Sequence, residues 1–232
     1  MSIGDHKSAF ISGESADWHQ PLQRENLSEM AYVAVRDAMM RGLLKPGQKL
    51  QLRPLSAKFG ISMTPMREAL LRLVSKDVLS LDLRGTVIVP VLTRDALAEI
   101  HQVRIMLEGR AAYVAASQPA AGAADDLMRI HQQLVAAQEN GDFEAAVKLN
   151  TDFHLGICKA AKLTVIHEVV EMMWMRCGPI LSHLYDGGAP FSDDHPHLKL
   201  IEAIGAGDPD MARQAIEEDI IRGGEKLYKW AK

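Results

Sequence analysis

The sequence predicts a mostly α-helical protein, with an N-terminal winged helix-turn-helix followed by a C-terminal antiparallel six-helix bundle. Three observations support this fold class. Two short amphipathic segments flank a glycine turn between residues 52 and 76. β-rich sequence surrounds a basic two-residue turn at Arg84 and Gly85. From Thr93 onward, apolar residues recur at helical spacing and no convincing strand is found.

The net charge of −4 conceals an asymmetry between the two halves of the chain. Residues 20–92 carry 11 Lys and Arg against 6 Asp and Glu, whereas residues 93–232 carry 14 against 21. A basic module joined to an acidic body is typical of a nucleic-acid binder attached to a domain that does not contact DNA. We therefore place a domain boundary at residues 91–93 and interpret residues 1–19 as a mobile tail.

The first element of the N-terminal domain is predicted to be a helix over residues 26–40 that ends near Gly42. The positions expected to be buried along this helix are Leu27, Met30, Val33 or Ala34, and Ala38. A turn at Lys45-Pro46-Gly47 follows, and Leu50 is expected in a short strand that pairs with the wing.

The helix-turn-helix comes next. Its first helix ends at Gly60, which tolerates the left-handed conformation of a tight turn, and its apolar face consists of Leu52, Leu55 and Phe59. Ser62 and Pro65 mark the start of the second helix, whose apolar face consists of Met66, Ala69, Leu70, Leu73 and Val74. Strands over residues 78–83 and 86–91 make the motif winged. Either helix alone would fit an ordinary α-rich core, but these elements in this order favour a DNA-binding motif.

The pattern PGQKL…LSAKFGISMTPMREALLRL…RG, which spans about residues 26–91, resembles the DNA-binding domain of the GntR family. The resemblance implies that arginines at the positions of Arg53 and Arg67 contact DNA, together with the residue at Met63, where the family usually has arginine. The full set of predicted DNA-contacting residues is Arg53, Ser62, Met63, Thr64, Arg67, Arg72, Arg84 and Gly85.

Composition narrows the class of protein further. No apolar run approaches the roughly 18–20 residues that a membrane span needs. The N-terminus lacks the charged-then-apolar pattern of a signal peptide, so we expect a cytoplasmic protein with no membrane partner. Cys158 and Cys177 fall on apolar helical faces and offer neither a disulfide framework nor a metal-type spacing, which predicts reduced core residues.

Six helices are predicted in the C-terminal domain, with a loop at residues 187–190 after the fourth. Thr93 caps the first and Asp142 the third, and Gly178-Pro179 is expected to kink the fourth. The predicted ranges are 93–118, 120–139, 142–161, 163–185, 193–204 and 209–230.

Several polar residues lie on helical faces that should otherwise be apolar. They are Arg104, Asn150, His154, His197 and Asp219. Burying an unpaired polar group costs roughly 1–3 kcal/mol, and a charge costs more, so these residues should meet one another or a ligand. Two imidazoles and two oxygen side chains, from Asn150, His154, His197 and Asp219, suit a divalent cation such as zinc, nickel or manganese.

The other histidines give weaker signals, and a single buried histidine is more often a core residue bonded to the backbone. His183 lies near apolar residues and is a candidate to line a cavity. The sequence around His131 suggests no partner for it. His195 lies off the apolar helical face that includes His197.

The motifs N-x-x-F-H at 150–154 and H-x-x-L-I-E-A-I-x-A-G-D at 197–208, with the spacing to Asp219, resemble the FCD effector-binding domain of the FadR subfamily. This resemblance implies a small organic acid bound beside a metal that Asp, His, His and His hold. Here Asn150 stands where Asp is common and Asp219 where the final His is common. R-x-x-L-E at 104–108 also matches and implies that Arg104 faces the effector. His183 is the second candidate for effector binding because it lies near apolar residues that could line the cavity. The alternative for Arg104 is an internal ion pair with Glu108.

These observations favour a transcription regulator, expected to be a repressor, that binds a palindromic operator as a homodimer, because one recognition helix reads too few base pairs. Effector binding in the bundle would change operator affinity. One alternative is a metal-dependent, hydrolase-like enzyme fused to a nucleic-acid-binding module, although no nucleophile or acid-base pair accompanies the metal candidates, so we expect no enzyme. Another is a DNA architectural protein without an effector.

Overall fold

A computed structural model describes residues 27–185 and 194–231. The predicted tail at 1–19, the loop at 187–190 and the predicted start of a helix at Asp193 fall outside these residues. No helix in the described part of the chain is long and apolar enough to cross a membrane.

The N-terminal part is a winged helix-turn-helix, as predicted. Its elements, in chain order, are α1 (Leu27–Met40), β1 (Lys49–Leu50), α2 (Leu52–Phe59), α3 (Met63–Val74), β2 (Ser80–Leu81) and β3 (Val87–Ile88). The strands form an antiparallel sheet in the order β1-β3-β2, so Leu50 does pair with the wing. Gly60 ends α2 at φ 65°, where its N–H donates to the carbonyls of Ser56 and Ala57. Local turn chemistry thus determines where the motif bends.

The buried face of α3 is the predicted one, with Met66, Ala69, Leu70 and Leu73 in the core. The prediction for α1 was wrong: Leu27 is 45% exposed and Met30 is 66% exposed. The residues of α1 that are buried are Ala31, Tyr32, Val35, Met39 and Met40. This helix packs against α3 on one side and the bundle on the other, so two neighbours far along the chain decide which residues it buries. In α2, Phe59 is also exposed, and Ser56 is the buried residue.

The C-terminal part contains six α-helices within the described residues. They are α4 (Arg94–Ser117), α5 (Ala123–Glu139), α6 (Phe143–Ala160), α7 (Thr164–Cys177), α8 (Pro196–Ala206) and α9 (Pro209–Leu227), with a 3-10 helix at Gly178–Tyr185. Thr93 and Asp142 cap α4 and α6 by accepting hydrogen bonds from Ala96 and Ala145. Cys158 and Cys177 are buried and unbonded, as expected.

The fourth predicted helix does not continue to residue 185 as an α-helix. It ends at Cys177 and tightens into the 3-10 helix, because Pro179 has no N–H to donate and its ring opposes a further α-helical turn. Helix α8 begins at Pro196 and ends at Ala206, later at both ends than the predicted 193–204, whereas α9 begins at Pro209 as predicted and ends at Leu227 instead of residue 230. Each begins with a proline at its first position, Pro196 and Pro209, which suits a helix start because that N–H would have no partner in the helix.

Helix α7 connects the two parts of the chain. Met175 is buried in the N-terminal core, whereas the adjacent Trp174 is buried in the bundle core. Glu171 makes an ion pair with Arg36 of α1 at 3.3 Å between Oε1 and Nη1. At the end of α7, Gly178 lies directly against the backbone of Met39, with no room for a side chain. The winged domain is therefore held against the bundle at the junction of α1 and α7.

Candidate functional site

Glu108 of α4 is the centre of a buried polar network in the bundle. It is fully buried and accepts three hydrogen bonds from different directions. Arg104 Nε lies 2.7 Å from Oε1, Trp174 Nε1 lies 3.2 Å from the same oxygen, and His154 Nδ1 lies 2.6 Å from Oε2. Burial alone would raise the pKa of Glu108, but Arg104 and His154 outweigh it and hold the pKa at about 2. Glu108 is therefore a carboxylate at neutral pH.

Arg104 makes the internal ion pair that the sequence left open as the alternative to an effector contact. Its side chain is almost completely buried, and its guanidinium carbon lies 4.0 Å from the centroid of the Trp174 ring. The ion pair with Glu108 is made through Nε. The two terminal nitrogens of the guanidinium are then the atoms that a ligand carboxylate would contact, so the effector role stays a prediction.

Three of the four predicted metal ligands lie together. Helices α6, α8 and α9 bring His154, His197 and Asp219 so close that one ligand atom from each lies within 4.8 Å of the other two. His154 Nε2 is 3.1 Å from Asp219 Oδ2, and His197 Nε2 is 3.5 Å from Asp219 Oδ1. The fourth residue, Asn150, lies one turn before His154 on α6 and is half-buried. Its role as a ligand stays a prediction.

The chemistry of this group fits a divalent cation. His197 is fully buried, and within the described residues its Nε2 makes only a long contact, 3.5 Å to Asp219 Oδ1, which satisfies a buried polar atom poorly. Burial would raise the pKa of Asp219, but His197 and His154 hold it well below its usual range, so the carboxylate is charged. Asp219 Oδ1 and His197 Nε2 are 3.5 Å apart. Two ligands that each bind one tetrahedral metal ion at about 2.0–2.2 Å have a similar separation.

Two further histidines lie beside this group, although no role was predicted for either of them. His131 of α5 is buried, and its Nδ1 is 3.3 Å from His197 Nδ1. His195 precedes α8, and its Nδ1 accepts a hydrogen bond from the backbone N–H of His197 at 3.2 Å. Burial lowers the pKa of His131 to about 4 and that of His195 to about 3, so both rings are neutral at pH 7. His131 lies on the buried stripe of α5 with Leu127 and Leu134, a signal that the sequence did contain.

His183, the second predicted effector residue, lies on the 3-10 helix and stacks on Trp230, with 3.6 Å between the ring centroids. It belongs to neither of the two metal-competent groups found within the described residues. Its part in effector binding stays a prediction.

On the winged domain, a groove of about 700 Å³ lies between α3 and the hairpin. Arg67 lines it from the recognition helix, and Arg84 and Gly85 line it from the hairpin tip. Asp82 holds the tip in shape, because its Oδ1 accepts hydrogen bonds from the backbone N–H groups of Arg84 and Thr86 at 2.9 Å each. The structure thus brings three of the predicted DNA-contacting residues to one concave, basic surface.

The other predicted DNA-contacting residues differ in whether their side chains already make contacts within the protein. Arg53 of α2 is exposed, and so are Ser62, Met63 and Thr64 at the start of α3. Ser62 occupies the N-cap position, but its hydroxyl makes no capping bond there. Arg72 is exposed but is also engaged within the protein. It forms an ion pair with Glu29, and its guanidinium carbon lies 3.9 Å from the centroid of the Tyr32 ring. Arg72 therefore holds α3 against α1, whatever else it contacts.

Known families match both parts of the chain. A family model described as bacterial regulatory proteins, gntR family, matches residues 27–89, and one described as the FCD domain matches residues 99–222. The HTH-type transcriptional regulator McbR of Escherichia coli K12 is 34% identical over 192 residues, which cover 81% of this chain and 86% of that protein. The gluconate operon transcriptional repressor of Bacillus subtilis 168 is 26% identical over 147 residues, 63% of this chain and 58% of that one.

Solved structures agree with these matches. The structure of E. coli McbR/YncC superposes with a TM-score of 0.81 at 31% identity, covering 88% of this chain and 97% of that one. A GntR-type regulator from Rhodococcus sp. RHA1 superposes with a TM-score of 0.72 at 17% identity, covering 88% and 99%. At that identity the second likeness shows the fold alone. The matched domains and relatives are those of transcription regulators rather than enzymes, as the sequence predicted.

Proposed function

This chain belongs to the GntR family of bacterial transcription regulators and carries an FCD domain, and from that premise we propose that it is a metal-dependent repressor controlled by a small carboxylate. The winged domain, residues 20–92, binds a palindromic operator as part of a cytoplasmic homodimer. The bundle, residues 93–232, binds a divalent ion and the effector. Binding of the effector in the metal-loaded bundle changes the affinity of the dimer for its operator, because the effector favours one arrangement of the two winged domains.

The observation that supports the metal is the buried group of His154, His197 and Asp219. The charged Asp219 faces two imidazole nitrogens, and one of these, His197 Nε2, makes only a long contact with it, at 3.5 Å. Asn150 would complete the set from the preceding turn of α6. Zinc, nickel and manganese all accept imidazole and oxygen ligands. When bound, the ion supplies a fixed positive charge that attracts an oxygen of an acidic ligand.

The effector is proposed to be a small organic acid because the bundle offers a buried cation beside the metal group. Arg104 is held by Glu108 through Nε, which orients its terminal nitrogens as donors to a carboxylate. His183 would add a contact from the 3-10 helix. One relative is named a gluconate operon transcriptional repressor, and gluconate is an organic acid.

A chain of direct contacts links this site to the winged domain. His154 bonds Glu108, Glu108 accepts from Trp174, and the next residue on α7, Met175, is buried in the N-terminal core. A ligand that repositions His154 would therefore act on the helix against which α1 packs. This contact chain is the proposed route by which bundle occupation reaches the recognition helix α3.

A thermal-shift screen of small carboxylates, with Zn²⁺ and with EDTA, tests the proposal. A metal that binds only the folded protein at 100 times its dissociation constant stabilises it by about 2.7 kcal/mol. We expect the melting temperature to fall on metal removal, and at least one carboxylate to raise it in the metal-loaded protein. His197→Gln should remove the metal effect, whereas His101→Gln, another buried histidine of the bundle, should keep it. Equal melting with and without metal would contradict the proposed site.

DNA binding offers a separate prediction. Arg67→Ala should weaken operator binding by about 1–3 kcal/mol, because a bidentate arginine contact to a base is worth that much. Fluorescence anisotropy with a DNA site selected from a random pool would measure it.

The matched control is Arg72→Ala on the same helix. Since Arg72 is already engaged with Glu29 and Tyr32, we expect it to contribute less to DNA affinity than Arg67 does. Arg53→Ala should weaken binding in the way that Arg67→Ala does. Unchanged DNA affinity in both Arg53→Ala and Arg67→Ala would show that a different surface contacts the operator.

A further inference from the structure

We propose that Leu83, at the tip of the wing, is an apolar wedge that enters the minor groove of the operator and partly unstacks one base step. This inference rests on the DNA binding proposed above and adds to it a residue and a mode of recognition. The predicted DNA-contacting residues include its neighbours Arg84 and Gly85 but not Leu83 itself. Leucine is one of the side chains that proteins insert between base steps to kink DNA from the minor groove.

Leu83 has the most exposed of the large apolar side chains in the described part of the chain. Its relative exposure is 107%, against 72% for Val165, the next highest. Single exposed apolar residues are ordinary on a protein surface, but the others are partly covered, whereas no neighbour covers Leu83. Burial of apolar area is favourable in proportion to the area that leaves water. Leu83 therefore offers a whole leucine side chain to a partner.

The wing holds Leu83 at the corner of a fixed turn. The backbone N–H of Gly85 donates to the carbonyl of Asp82, and that of Asp82 donates to the carbonyl of Thr86, at 2.9 Å each. Gly85 closes the turn at φ 75°, a left-handed conformation that suits glycine. Asp82 Oδ1 also accepts from the backbone of Arg84 and Thr86. Because the turn is already ordered, little backbone freedom is lost when Leu83 meets a partner.

The basic groove beside the tip fits the phosphate backbone that separates the major groove of DNA from the minor groove. Its lining includes three cations, Lys49, Arg67 and Arg84, and no acidic residue. Asp82, the acidic residue of the tip, is paired with Lys49 at 3.5 Å between Oδ2 and Nζ. In helix-turn-helix proteins the recognition helix lies in the major groove. A phosphate backbone seated between α3 and the hairpin then places the tip, and Leu83 with it, at the adjacent minor groove.

A wedge reads DNA by how easily a base step opens, rather than by hydrogen bonds to the bases. Pyrimidine–purine steps such as TA and CA are the most easily kinked or unstacked. We therefore expect the operator to have such a step beneath the wing tip in each half of the palindrome. Insertion of an apolar side chain bends the duplex by roughly 20–90°, so the bound operator should be bent.

The experiment compares the wild-type chain with Leu83→Ala and Leu83→Met on a DNA site that the wild-type chain selects from a random pool. 2-Aminopurine, placed in turn at each adenine of the site, reports unstacking by its fluorescence, and a dye pair at the duplex ends reports the bend. Leu83→Ala should bind about 10-fold more weakly, without the fluorescence increase and with a straighter duplex. Methionine is also used as a wedge, so Leu83→Met should keep both signals.

Leu27→Ala is the matched control, because it makes the same chemical change at an exposed leucine at the start of α1. It should leave affinity, fluorescence and bend unchanged. Salt dependence separates the wedge from a charge contact. Arg84→Ala should reduce the salt slope of binding by about 1, whereas Leu83→Ala removes no charge and should keep the wild-type slope. A pool selected by Leu83→Ala should no longer be enriched in TA or CA steps beneath the tip.

Wild-type affinity and unstacking in Leu83→Ala would overturn the wedge, and so would a wild-type complex in which no base is unstacked. If Arg67→Ala weakens binding and Leu83→Ala does not, the recognition helix stands and only the wedge fails. If neither variant weakens binding, the operator meets another surface, and the proposed DNA-binding mode fails with the wedge. A changed oligomeric state of Leu83→Ala without DNA, measured by sedimentation, would assign this leucine to a protein contact and also overturn the proposal.

Discussion

Glu108→Gln is expected to destabilise the protein by about 3–5 kcal/mol, the usual cost of removing one partner of a buried ion pair. The substitution would leave the Arg104 guanidinium buried without its anion. It would also remove the charged acceptor for His154 Nδ1. Urea unfolding followed by circular dichroism would show the loss as a lower midpoint with an unchanged slope.

The exposed ion pair between Arg41 and Glu144 supplies the matched control. Glu144→Gln should change stability by less than about 1 kcal/mol, because water and salt screen a surface pair. The double variant Arg104→Gln/Glu108→Gln should lose less than the two single losses combined, since removing both charges leaves neither one buried alone. Equal stability of Glu108→Gln and Glu144→Gln would show that the buried network does not stabilise the bundle.

Gly178→Ala is expected to break the packing between α1 and the end of α7. A Cβ at this position would lie 1.9 Å from the Met39 carbonyl oxygen and 2.6 Å from its carbonyl carbon. These are backbone atoms, so the clash cannot be relieved by turning a side chain. Overpacking a core costs about 1–3 kcal/mol and occasionally more, and we expect a loss at or above the upper end of that range.

Gly205→Ala is the matched control for this prediction. Gly205 is also helical, but the nearest atom to an added Cβ, the Cβ of Ala124, is 3.8 Å away. Alanine is favoured over glycine within a helix by about 0.5–1 kcal/mol, so this variant should be neutral or slightly more stable. Thermal melting and hydrogen exchange of α1 amides would compare the two. Wild-type protection of α1 in Gly178→Ala would contradict the close approach of these helices.

Local chemistry explains which parts of the fold the sequence predicted. Gly60 forms the turn that ends α2, and Thr93 and Asp142 cap the starts of α4 and α6. Each does so through hydrogen bonds to residues no more than four positions away. The buried face of α3 was also predicted, since a single apolar stripe packs on a single core. For α1 the prediction failed because this helix packs between α3 and α7, and neither neighbour is encoded in the spacing of its own apolar residues.

For the candidate metal ligands, too, the sequence predicted what local spacing expresses and missed what depends on contacts between distant helices. His154 and His197 were predicted from their own helices, and their meeting with Asp219 is geometric rather than local. His131 lies on the buried stripe of α5, so its burial could have been predicted, but its contact with His197 of α8 is not expressed by any spacing within the sequence. The pairing of Arg104 with Glu108 was foreseen as an alternative, because the two residues are one helical turn apart.

The central claim is that ligands bound in the bundle control DNA binding by the winged domain. The most direct test is to measure the affinity for operator DNA with and without metal and carboxylate. The full chain would be titrated against a selected palindromic DNA site, first metal-stripped and then loaded with metal and with each carboxylate that raises the melting temperature. We expect at least one carboxylate to change the dissociation constant for DNA by about 5–150-fold in the wild-type chain and to have no effect in His197→Gln. A carboxylate that stabilises the metal-loaded bundle but leaves DNA affinity unchanged in the wild-type chain would contradict the claim that this bundle controls the winged domain.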